Sequence, residues 1–454
     1  MTRTRRAEDN AKAAPQVPDE PMSPTDAAWL HMDGRVNPAI VNGMLLTRQP
    51  LDIARVREVC RRRLLGFERF RQRVVETGLA VPTPHWRTVP VDLDHHLRHV
   101  ALPPPHDAAA LRRLASALAS TPLDPDAPLW QWTLVDRVGR GSALIMRYHH
   151  CIGDGSAMMA VAQKLFDAEP QAVAPAGSAA AAAVPVPAAP QAGRPLVDEA
   201  LATLGQVASG IGALVGDLLK TDDPRSPLKG EFGMRQRVSW SRPLSLRAIK
   251  AVAAQADAKV NDVLVAALAG ALREYVQQRG VDIARQSLRA MVPVDLRPPE
   301  RRGQLGNEFG LVILDLPVGE ARRARRLAEA KARMDQLKQS TEAGAMRVLL
   351  TLFGHGPKLL QDMASALFGA KVSLVMTNVV GPREPHRFAG VPLDRVVFWV
   401  PHPGDDMGMG VSILSYAGRV SLGVMTDARL VPDPEHLTTL FEREFAALLR
   451  EARR

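Results

Sequence analysis

Residues 148–159 have the sequence YHHCIGDGSAMM and carry the side chains best suited to chemistry in this chain. Two histidines, His149 and His150, are adjacent, and Asp154-Gly155 follows four positions after the second. An imidazole titrates near neutral pH, so a histidine that faces a cleft can take a proton from a hydroxyl and return it to a leaving group. The motif therefore predicts general acid–base catalysis.

Other kinds of chemistry fit these residues less well. No neighbouring serine forms a G-x-S-x-G elbow, and the histidines do not stand four apart on a helix like H-E-x-x-H zinc ligands, so we predict no metal site. Cys151 is an alternative nucleophile, although the sequence offers no separate base for it. The remaining alternative is a polar loop in which one histidine belongs to the core.

The flanking residues indicate a strand that ends at the motif and a helix that begins after it. Residues 143–146, ALIM, suit a buried strand, whereas Met158, Val161 and Leu165 recur at helical spacing. Since neighbouring strand residues point to opposite faces, one histidine should face a cleft and the other should face inward.

The rest of the chain mixes strand and helix patterns. Apolar runs and turn signals indicate strands at 43–47, 132–138, 237–241, 288–294, 307–316, 372–380, 410–416 and 420–426. Helical spacing indicates helices at 27–32, 55–75, 107–120, 263–276 and 320–340, with others starting at Ser245 and after Asp433-Pro434 and an extended segment at 86–102. Ser23 or Thr25 is placed to cap the first helix, and Asn261 to cap helix 263–276.

The composition narrows the class of protein. A chain of 454 residues, 46% of them hydrophobic, is globular and long enough for two domains. The net charge of +10 suits nucleic acid, an anionic membrane surface or an acidic cofactor such as coenzyme A. With no zinc-finger spacing and only 4% aromatic residues, nucleic acid is the weakest of the three. Two cysteines, Cys60 and Cys151, are too few for a disulfide framework and suit a reducing compartment.

Changes in composition divide the chain into four parts. Residues 1–21 are polar, lack the apolar core of a signal peptide and are expected to form a disordered leader. Residues 22–169 form a first half that contains the histidine motif, and residues 236–454 form a second half. Between them, residues 170–235 hold an Ala/Pro-rich crossover and a helix at 196–219.

Several motifs follow one another in chain order. They are SPTDAAWL at residues 23–30, PLW at 128–130, HHCIGDG at 149–155, NDVLVA at 261–266, VPV at 292–294 followed by Arg297, Gly306-Asn307, and TNVVGP at 377–382. As an ordered set they resemble the bacterial wax ester synthase/diacylglycerol acyltransferase family, within the coenzyme A-dependent acyltransferase superfamily. One motif alone would leave condensation domains equally favoured.

The resemblance implies a mixed α/β fold of two chloramphenicol-acetyltransferase-like halves that meet along a tunnel. Acyl-CoA would enter from one face and diacylglycerol or a long-chain alcohol from the other, giving triacylglycerol or wax esters. His150 would deprotonate the acceptor hydroxyl, which attacks the thioester directly, and would then protonate the departing thiolate. Acyl-CoA is a substrate in this scheme, and no cofactor is implied.

The resemblance also assigns supporting roles. His149 would support His150, and Asp154 would be structural and paired with Arg297 across the two halves. Asp33 stands where family members often have glutamate, so its role is open. An amide or hydroxyl lining the tunnel can stabilise an oxyanion. The expected lining residues are Gly155, Asn261, Thr377 and Asn378, and the expected structural residues include Pro128 and Trp130.

Two other functions compete with this one. A condensation-type or polyketide-associated acyltransferase would take its donor from a carrier, but the chain contains no carrier-like segment. A non-catalytic protein at a lipid surface is the other alternative, and the intact histidine motif argues against it. The residues leave the acceptor alcohol, the acyl chain length and the oligomeric state open.

The expected location follows from the insolubility of the products. No run of ~18 apolar residues is free of charge or proline, so no spanning helix is expected. We expect a cytoplasmic protein that binds peripherally to the inner membrane or to lipid inclusions and does not bind nucleic acid. The apolar and basic segment 346–371 is the candidate contact, with packing in the core as an equal alternative.

Overall fold

The computed structural model describes residues 19–77, 83–167, 226–285, 288–301, 303–339, 369–402 and 406–453. The strands are β1 (Glu20–Pro21), β2 (Ile40–Thr47), β3 (Gln72–Thr77), β4 (Thr83–Thr88), β5 (Leu97–Ala101), β6 (Trp130–Val138), β7 (Gly141–His149), β8 (Gln236–Trp240), β9 (Leu244–Ser245), β10 (Leu288–Asp295), β11 (Phe309–Leu316), β12 (Leu374–Val380), β13 (Arg387–Phe388), β14 (Val391–Trp399), β15 (Met409–Tyr416) and β16 (Arg419–Asp427). The α-helices are α1 (Pro24–His31), α2 (Ile53–Arg62), α3 (Leu93–His96), α4 (Ala108–Ala119), α5 (Gly155–Leu165), α6 (Leu246–Gln255), α7 (Val260–Gln277), α8 (Arg323–Gln339) and α9 (Pro434–Glu451).

Two large sheets organise these elements. The first has the strand order β13-β14-β2-β7-β6-β5, and the second has the order β11-β10-β12-β15-β16-β8, with β9 also paired to β16. Both sheets are mixed, since β5 runs parallel to β6 and β12 runs parallel to β10 and β15 while the other pairs are antiparallel. A small sheet, β1-β4-β3, lies apart from them. This is the mixed α/β fold expected from the sequence.

The described residues form three hydrophobic clusters: one beside the first sheet, one beside the second, and a smaller one that contains residues of both sheets, including β2 and β8. Helices α1, α2 and α5 contribute to the core beside the first sheet, where Trp29, Val56 and Val161 are buried. Helix α7 fills the centre of the core beside the second sheet, and all of its residues 262–272 are buried. Burial on every side explains why this segment is apolar almost throughout rather than along one stripe.

The two halves of the sequence share the first sheet. Strands β13 and β14 belong to the second half of the chain, yet β14 pairs antiparallel with β2, with Trp399 opposite Asn42. Without β14, strand β2 would be the edge of the first sheet and would expose a row of unpaired backbone groups. The expected boundary at residue 236 therefore separates the chain into two segments but does not separate the sheets.

Three local expectations were wrong. The helix expected at 55–75 ends at Arg62, and its last residues form β3 instead, because they pair along their length with β4. Residues 19–21, which were expected to belong to the disordered leader, are ordered, since Asp19 forms an ion pair with Arg87 at 2.7 Å and β1 pairs with β4. The segment expected to be extended at 86–102 contains helix α3.

Other local predictions are confirmed. Ser23 caps α1 by accepting a hydrogen bond from the Asp26 backbone N–H at 3.2 Å. The turn between β15 and β16 has positive φ at Ala417 (47°) and Gly418 (72°), as a two-residue hairpin turn requires.

No helix in the described ranges is long and apolar enough to cross a membrane. The helix expected at 196–219 and most of segments 170–235 and 346–371 lie outside the described residues.

Candidate active site

The end of β7 separates the two histidines. Strand β7 ends at His149, and His150 begins a single 3-10 turn, residues 150–152, that leads into α5. His149 is buried and 3% exposed, whereas His150 is half-buried and lines a cavity of about 670 Å³. The opposite orientation expected of neighbouring strand residues is therefore present, and the second histidine faces the cavity.

The ring of His150 is held from two directions. Trp29 of α1 stacks on it, with ring centroids 3.7 Å apart and planes inclined by 10°. The Nδ1 atom of His150 lies 3.0 Å from Oδ1 of Asn307, which comes from the second half just before β11. Asn307 in turn donates to the His150 backbone carbonyl at 2.8 Å and to Asp26 Oδ1 at 2.7 Å.

Burial sets the charge of His150. Desolvation lowers the pKa of its imidazole to about 4, and the negative charge of Asp154 opposes this shift. At neutral pH the ring is therefore uncharged and can accept a proton, as a general base must.

His149 has a structural environment. Its Nδ1 accepts a hydrogen bond from the Cys151 backbone N–H at 3.2 Å, which caps the turn that carries His150. Its Nε2 lies 3.6 Å from Asp33 Oδ1, and the same oxygen accepts from the Ala39 backbone N–H at 2.7 Å. The 3.6 Å separation is longer than a hydrogen bond, so the firm contact of Asp33 is the one to Ala39, which fixes the loop before β2.

Asp154 has no free lone pair aimed at a substrate. Its Oδ1 accepts from the Ala157 N–H at 2.9 Å and from Arg297 at 3.2 Å, and its Oδ2 accepts from Arg297 at 2.9 Å and from the Glu308 N–H at 3.0 Å. The Arg297 side chain is 1% exposed. The predicted ion pair across the two halves is confirmed, and Asp154 connects α5 to the segment that carries Asn307.

The cavity lies between the two halves. Its wall includes His150 and Gly155 from the first half and Thr377 and Asn378 from the second. A Cβ atom added to Gly155 would stand 3.2 Å from Val379 Cγ2, so a larger residue here would push on the opposite wall. A smaller apolar cavity of about 100 Å³ shares residues with it. The shared residues are Tyr148, Gly155, Met159, Val379 and Phe398.

Asn261 is placed differently from the expectation. It lies inside the first turn of α7, whose N-cap is Lys259, so it does not cap the helix. Among the described residues it is not part of the cavity wall. Its Oδ1 accepts a hydrogen bond from Asn378 Nδ2 at 2.5 Å, so it acts on the wall through Asn378.

The PLW motif supports the first core. Trp130 is 1% exposed, donates from Nε1 to the Phe70 carbonyl at 2.9 Å and stacks on His96. Pro128 accepts from the Trp130 N–H at 2.7 Å, and the Leu129 carbonyl between them accepts from the His149 N–H at 2.9 Å. The motif therefore fixes the end of β7 without reaching the cavity.

Cys151 does not suit nucleophilic catalysis. Its side chain is fully buried, and burial raises its thiol pKa well above the ordinary value. Since the thiolate is the reactive form, a neutral buried thiol is inert. The alternative in which Cys151 attacks the substrate is therefore wrong.

Sequence reasoning missed three residues of this site. Trp29, Asp26 and Asn307 all lay in motifs noted in the sequence, but only their order along the chain was used. Asp26 and Asn307 are 281 positions apart, so no local pattern brings them together. The local sequence gave no signal for this pair, because Asp26 follows Thr25 and Asn307 lies between Gly306 and Glu308.

Two family models match successive parts of the chain. The model described as the wax ester synthase/diacylglycerol acyltransferase catalytic domain matches residues 22–264, and the model for the WS/DGAT C-terminal domain matches residues 305–449. A Mycobacterium tuberculosis protein named "probable diacylglycerol O-acyltransferase" is 28% identical over 446 residues, which cover 93% of this chain and 97% of that protein.

Solved structures share the fold. The wax ester synthase/diacylglycerol acyltransferase from Marinobacter aquaeolei is 23% identical, with a TM-score of 0.70 over 95% of this chain and 99% of that one. The starter condensation domain of rhizomide synthetase is 13% identical, with a TM-score of 0.58 over 96% of this chain and 95% of that one. At such identities the likeness concerns the fold alone.

Proposed function

Because the chain belongs to the wax ester synthase/diacylglycerol acyltransferase family, and is thus an acyltransferase, we propose that it transfers a long-chain acyl group from acyl-CoA to diacylglycerol or a long-chain alcohol. The observation that carries the proposal is the position of His150. It is a neutral base in the wall of the larger cavity, which adjoins the smaller apolar cavity. Such a cavity suits an acceptor hydroxyl that carries hydrocarbon chains.

The reaction needs one base and no acyl-enzyme. His150 removes the proton from the acceptor hydroxyl as the hydroxyl oxygen attacks the thioester carbonyl. The tetrahedral intermediate then collapses, the C–S bond breaks, and His150 returns the proton to the coenzyme A thiolate. The ester is triacylglycerol when the acceptor is diacylglycerol, and a wax ester when it is a fatty alcohol.

The cavity walls supply the other requirements. The developing oxyanion needs a hydrogen-bond donor, and Thr377 and Asn378 offer a hydroxyl and an amide in the wall. The smaller cavity is lined by Leu64, Phe70 and Trp132 and can take up part of a hydrocarbon chain. No observation favours a carrier-bound donor, because the likeness to condensation domains concerns the fold alone.

The test is a transfer assay with the purified full-length chain. Palmitoyl-CoA is offered with dioleoylglycerol, with hexadecanol or with both, and the neutral lipids are separated by chromatography while free thiol is measured. We expect ester formation with at least one acceptor and one thiol released per ester. Thiol release without any ester, or no release with either acceptor, would contradict the proposal.

We also infer that the protein works at a lipid surface. The proposed acceptor and the ester product are hydrophobic, the net charge is +10, and the Val380 side chain, 75% exposed, lies at the cavity that holds His150. Segment 346–371 is the candidate for further contact.

Vesicle sedimentation tests this surface binding. The protein should sediment with phosphatidylglycerol-containing vesicles at low salt and be released at high salt, because salt screens the attraction between the charges. Vesicles of phosphatidylcholine alone are the control and should retain less protein. Failure to sediment at low salt, or binding that resists carbonate, would contradict peripheral electrostatic docking.

A further inference from the structure

A histidine base must present its unprotonated nitrogen to the substrate. Neutral imidazole exists in two tautomers, and the hydrogen bond made by one ring nitrogen decides which tautomer is present. At His150 that hydrogen bond is the 3.0 Å contact between Nδ1 and Oδ1 of Asn307. The orientation of the Asn307 amide therefore decides which nitrogen of His150 can act.

Two acceptors fix the orientation of this amide. The Nδ2 atom of Asn307 lies 2.7 Å from Asp26 Oδ1 and 2.8 Å from the His150 carbonyl oxygen. Rotating the amide by 180° would turn its oxygen towards both of these oxygens and lose two hydrogen bonds. Asp26 is itself anchored, because its Oδ1 also accepts from the Asn307 backbone N–H at 2.9 Å.

The oxygen of Asn307 must then be the atom that faces His150. An amide oxygen only accepts hydrogen bonds, so Nδ1 of His150 carries the hydrogen and donates it. The lone pair of the neutral ring is left on Nε2, on the far side of the ring from Asn307. Trp29, stacked at 3.7 Å, keeps the plane of the ring in this position.

We infer that Asn307 and Asp26 are positioning residues, which together hold His150 in the tautomer whose Nε2 is the base. The inference rests on the proposed function, because it assigns the atom that removes the acceptor proton. The arrangement requires both halves of the chain, since Asp26 and His150 come from the first and Asn307 from the second. His150 is therefore held in the tautomer with a free Nε2 lone pair only when the two halves are packed together and Asn307 contacts Nδ1.

A neutral asparagine in this place has a further effect. A carboxylate beside Nδ1 would favour the charged imidazolium and raise the pKa of His150. Asn307 fixes the tautomer without adding a negative charge at the ring. The carboxylate of Asp26 acts on the ring only through its hydrogen bond to the Asn307 amide. The ring thus stays neutral while its hydrogen is held in place.

Four variants test the inference in the transfer assay. Asn307→Ala and Asp26→Ala remove the acceptor and its anchor, whereas Asp26→Asn keeps an oxygen that can accept from the Asn307 amide. Arg301→Gln breaks a neighbouring surface ion pair with Glu308 and is the matched control. We expect Asn307→Ala to lower kcat by about tenfold or more with little change in KM, Asp26→Ala to lower it less, and Asp26→Asn to keep most of it.

Nitrogen-15 NMR of histidine-labelled protein reads the tautomer directly. The chain has 12 histidines, and the His150 signals are assigned by their loss in His150→Gln. The wild-type and Asp26→Asn spectra should show a protonated Nδ1 and an unprotonated Nε2, and Asn307→Ala should show a mixture of tautomers.

Two results would overturn the inference while leaving the proposed base intact. One is an unprotonated Nδ1 in the wild type. The other is an Asn307→Ala protein that loses kcat only in proportion to its folded fraction, with the tautomer unchanged. A folded His150→Gln protein that retained the wild-type rate would instead contradict the proposed function, so the two failures can be distinguished.

Discussion

His149 and His150 are chemically identical side chains, and their surroundings give them different roles. His149 is enclosed and accepts a hydrogen bond from the backbone of its own turn. His150 faces the cavity and has its Nδ1 bound to Asn307. A substitution of His149 should therefore act mainly on stability, and a substitution of His150 should act mainly on the reaction rate.

Replacing His149 with alanine tests the structural role. The change removes the acceptor for the Cys151 N–H and leaves a void under the turn, which should cost about 1–3 kcal/mol of stability. The melting temperature should fall, and the kcat of the folded fraction should drop less than in His150→Ala. Thermal unfolding and kcat are measured on the same preparation. An unchanged melting temperature with complete loss of rate would contradict this role.

The lowered pKa of His150 predicts the acid limb of the rate profile. With a folded pKa of about 4, the base stays neutral and active down to about pH 5 and is lost as the pH falls through 4. Between pH 6.5 and 4 the unfolded state binds more protons at this residue than the folded state, so stability falls with falling pH. The pH profile of kcat/KM measures the loss of the base. The difference in unfolding free energy between the wild type and His150→Ala, followed over the same pH range, measures the effect on stability. An acid limb centred near pH 6.5 would contradict the lowered pKa.

At the scale of elements, Asp154 connects α5 to the segment before β11. Replacing it with asparagine can keep the helix cap but leaves the buried Arg297 with only the more distant Glu308, 3.9 Å away, as a charge partner, so the cost should approach the about 3–5 kcal/mol of breaking a buried pair. Stability and activity should fall together. The control is Asp394→Asn, which breaks an exposed pair with Arg48 and should cost less than about 1 kcal/mol. Loss of rate at an unchanged melting temperature would instead indicate that Asp154 acts directly in catalysis.

Local patterns predicted most elements and failed where pairing between distant segments decides the structure. The stripe that suggested one helix over 55–75 is real, since Val56, Val59, Leu64 and Phe70 are all buried. Helix α2 nevertheless ends early, because the residues from Gln72 onward pair with β4. The same limit applies to the site. The histidine motif was visible in the sequence, but the partners of His150 come from positions that only the fold brings together.

At the scale of the whole molecule, the second half completes the first. Strand β14 covers β2, and Phe388 of β13 is fully buried and packs near Trp132 with ring centroids 6.2 Å apart. The second half also supplies Asn307 and Arg297 to the histidine turn. The two halves of the chain are therefore not independent folding units.

Splitting the chain tests this dependence. Residues 1–235 expressed alone lack β13 and β14, so the edge of β2 and the apolar surface beside Trp132 would be exposed, and we expect aggregation. Co-expression with residues 236–454 should restore a soluble complex with measurable transfer activity. Size-exclusion chromatography and thermal unfolding follow the outcome. A monomeric first half that unfolds cooperatively by itself would contradict the shared sheet.

The most direct test compares wild type and His150→Ala in the same transfer assay. Both proteins are purified, checked for equal folding by thermal unfolding, and supplied with palmitoyl-CoA and the better of the two acceptors. We expect the wild type to form ester and release thiol, and the variant to be slower by ~10²–10⁴-fold, the usual contribution of a general base. A folded His150→Ala protein that forms ester at the wild-type rate would contradict the assignment of His150 as the base.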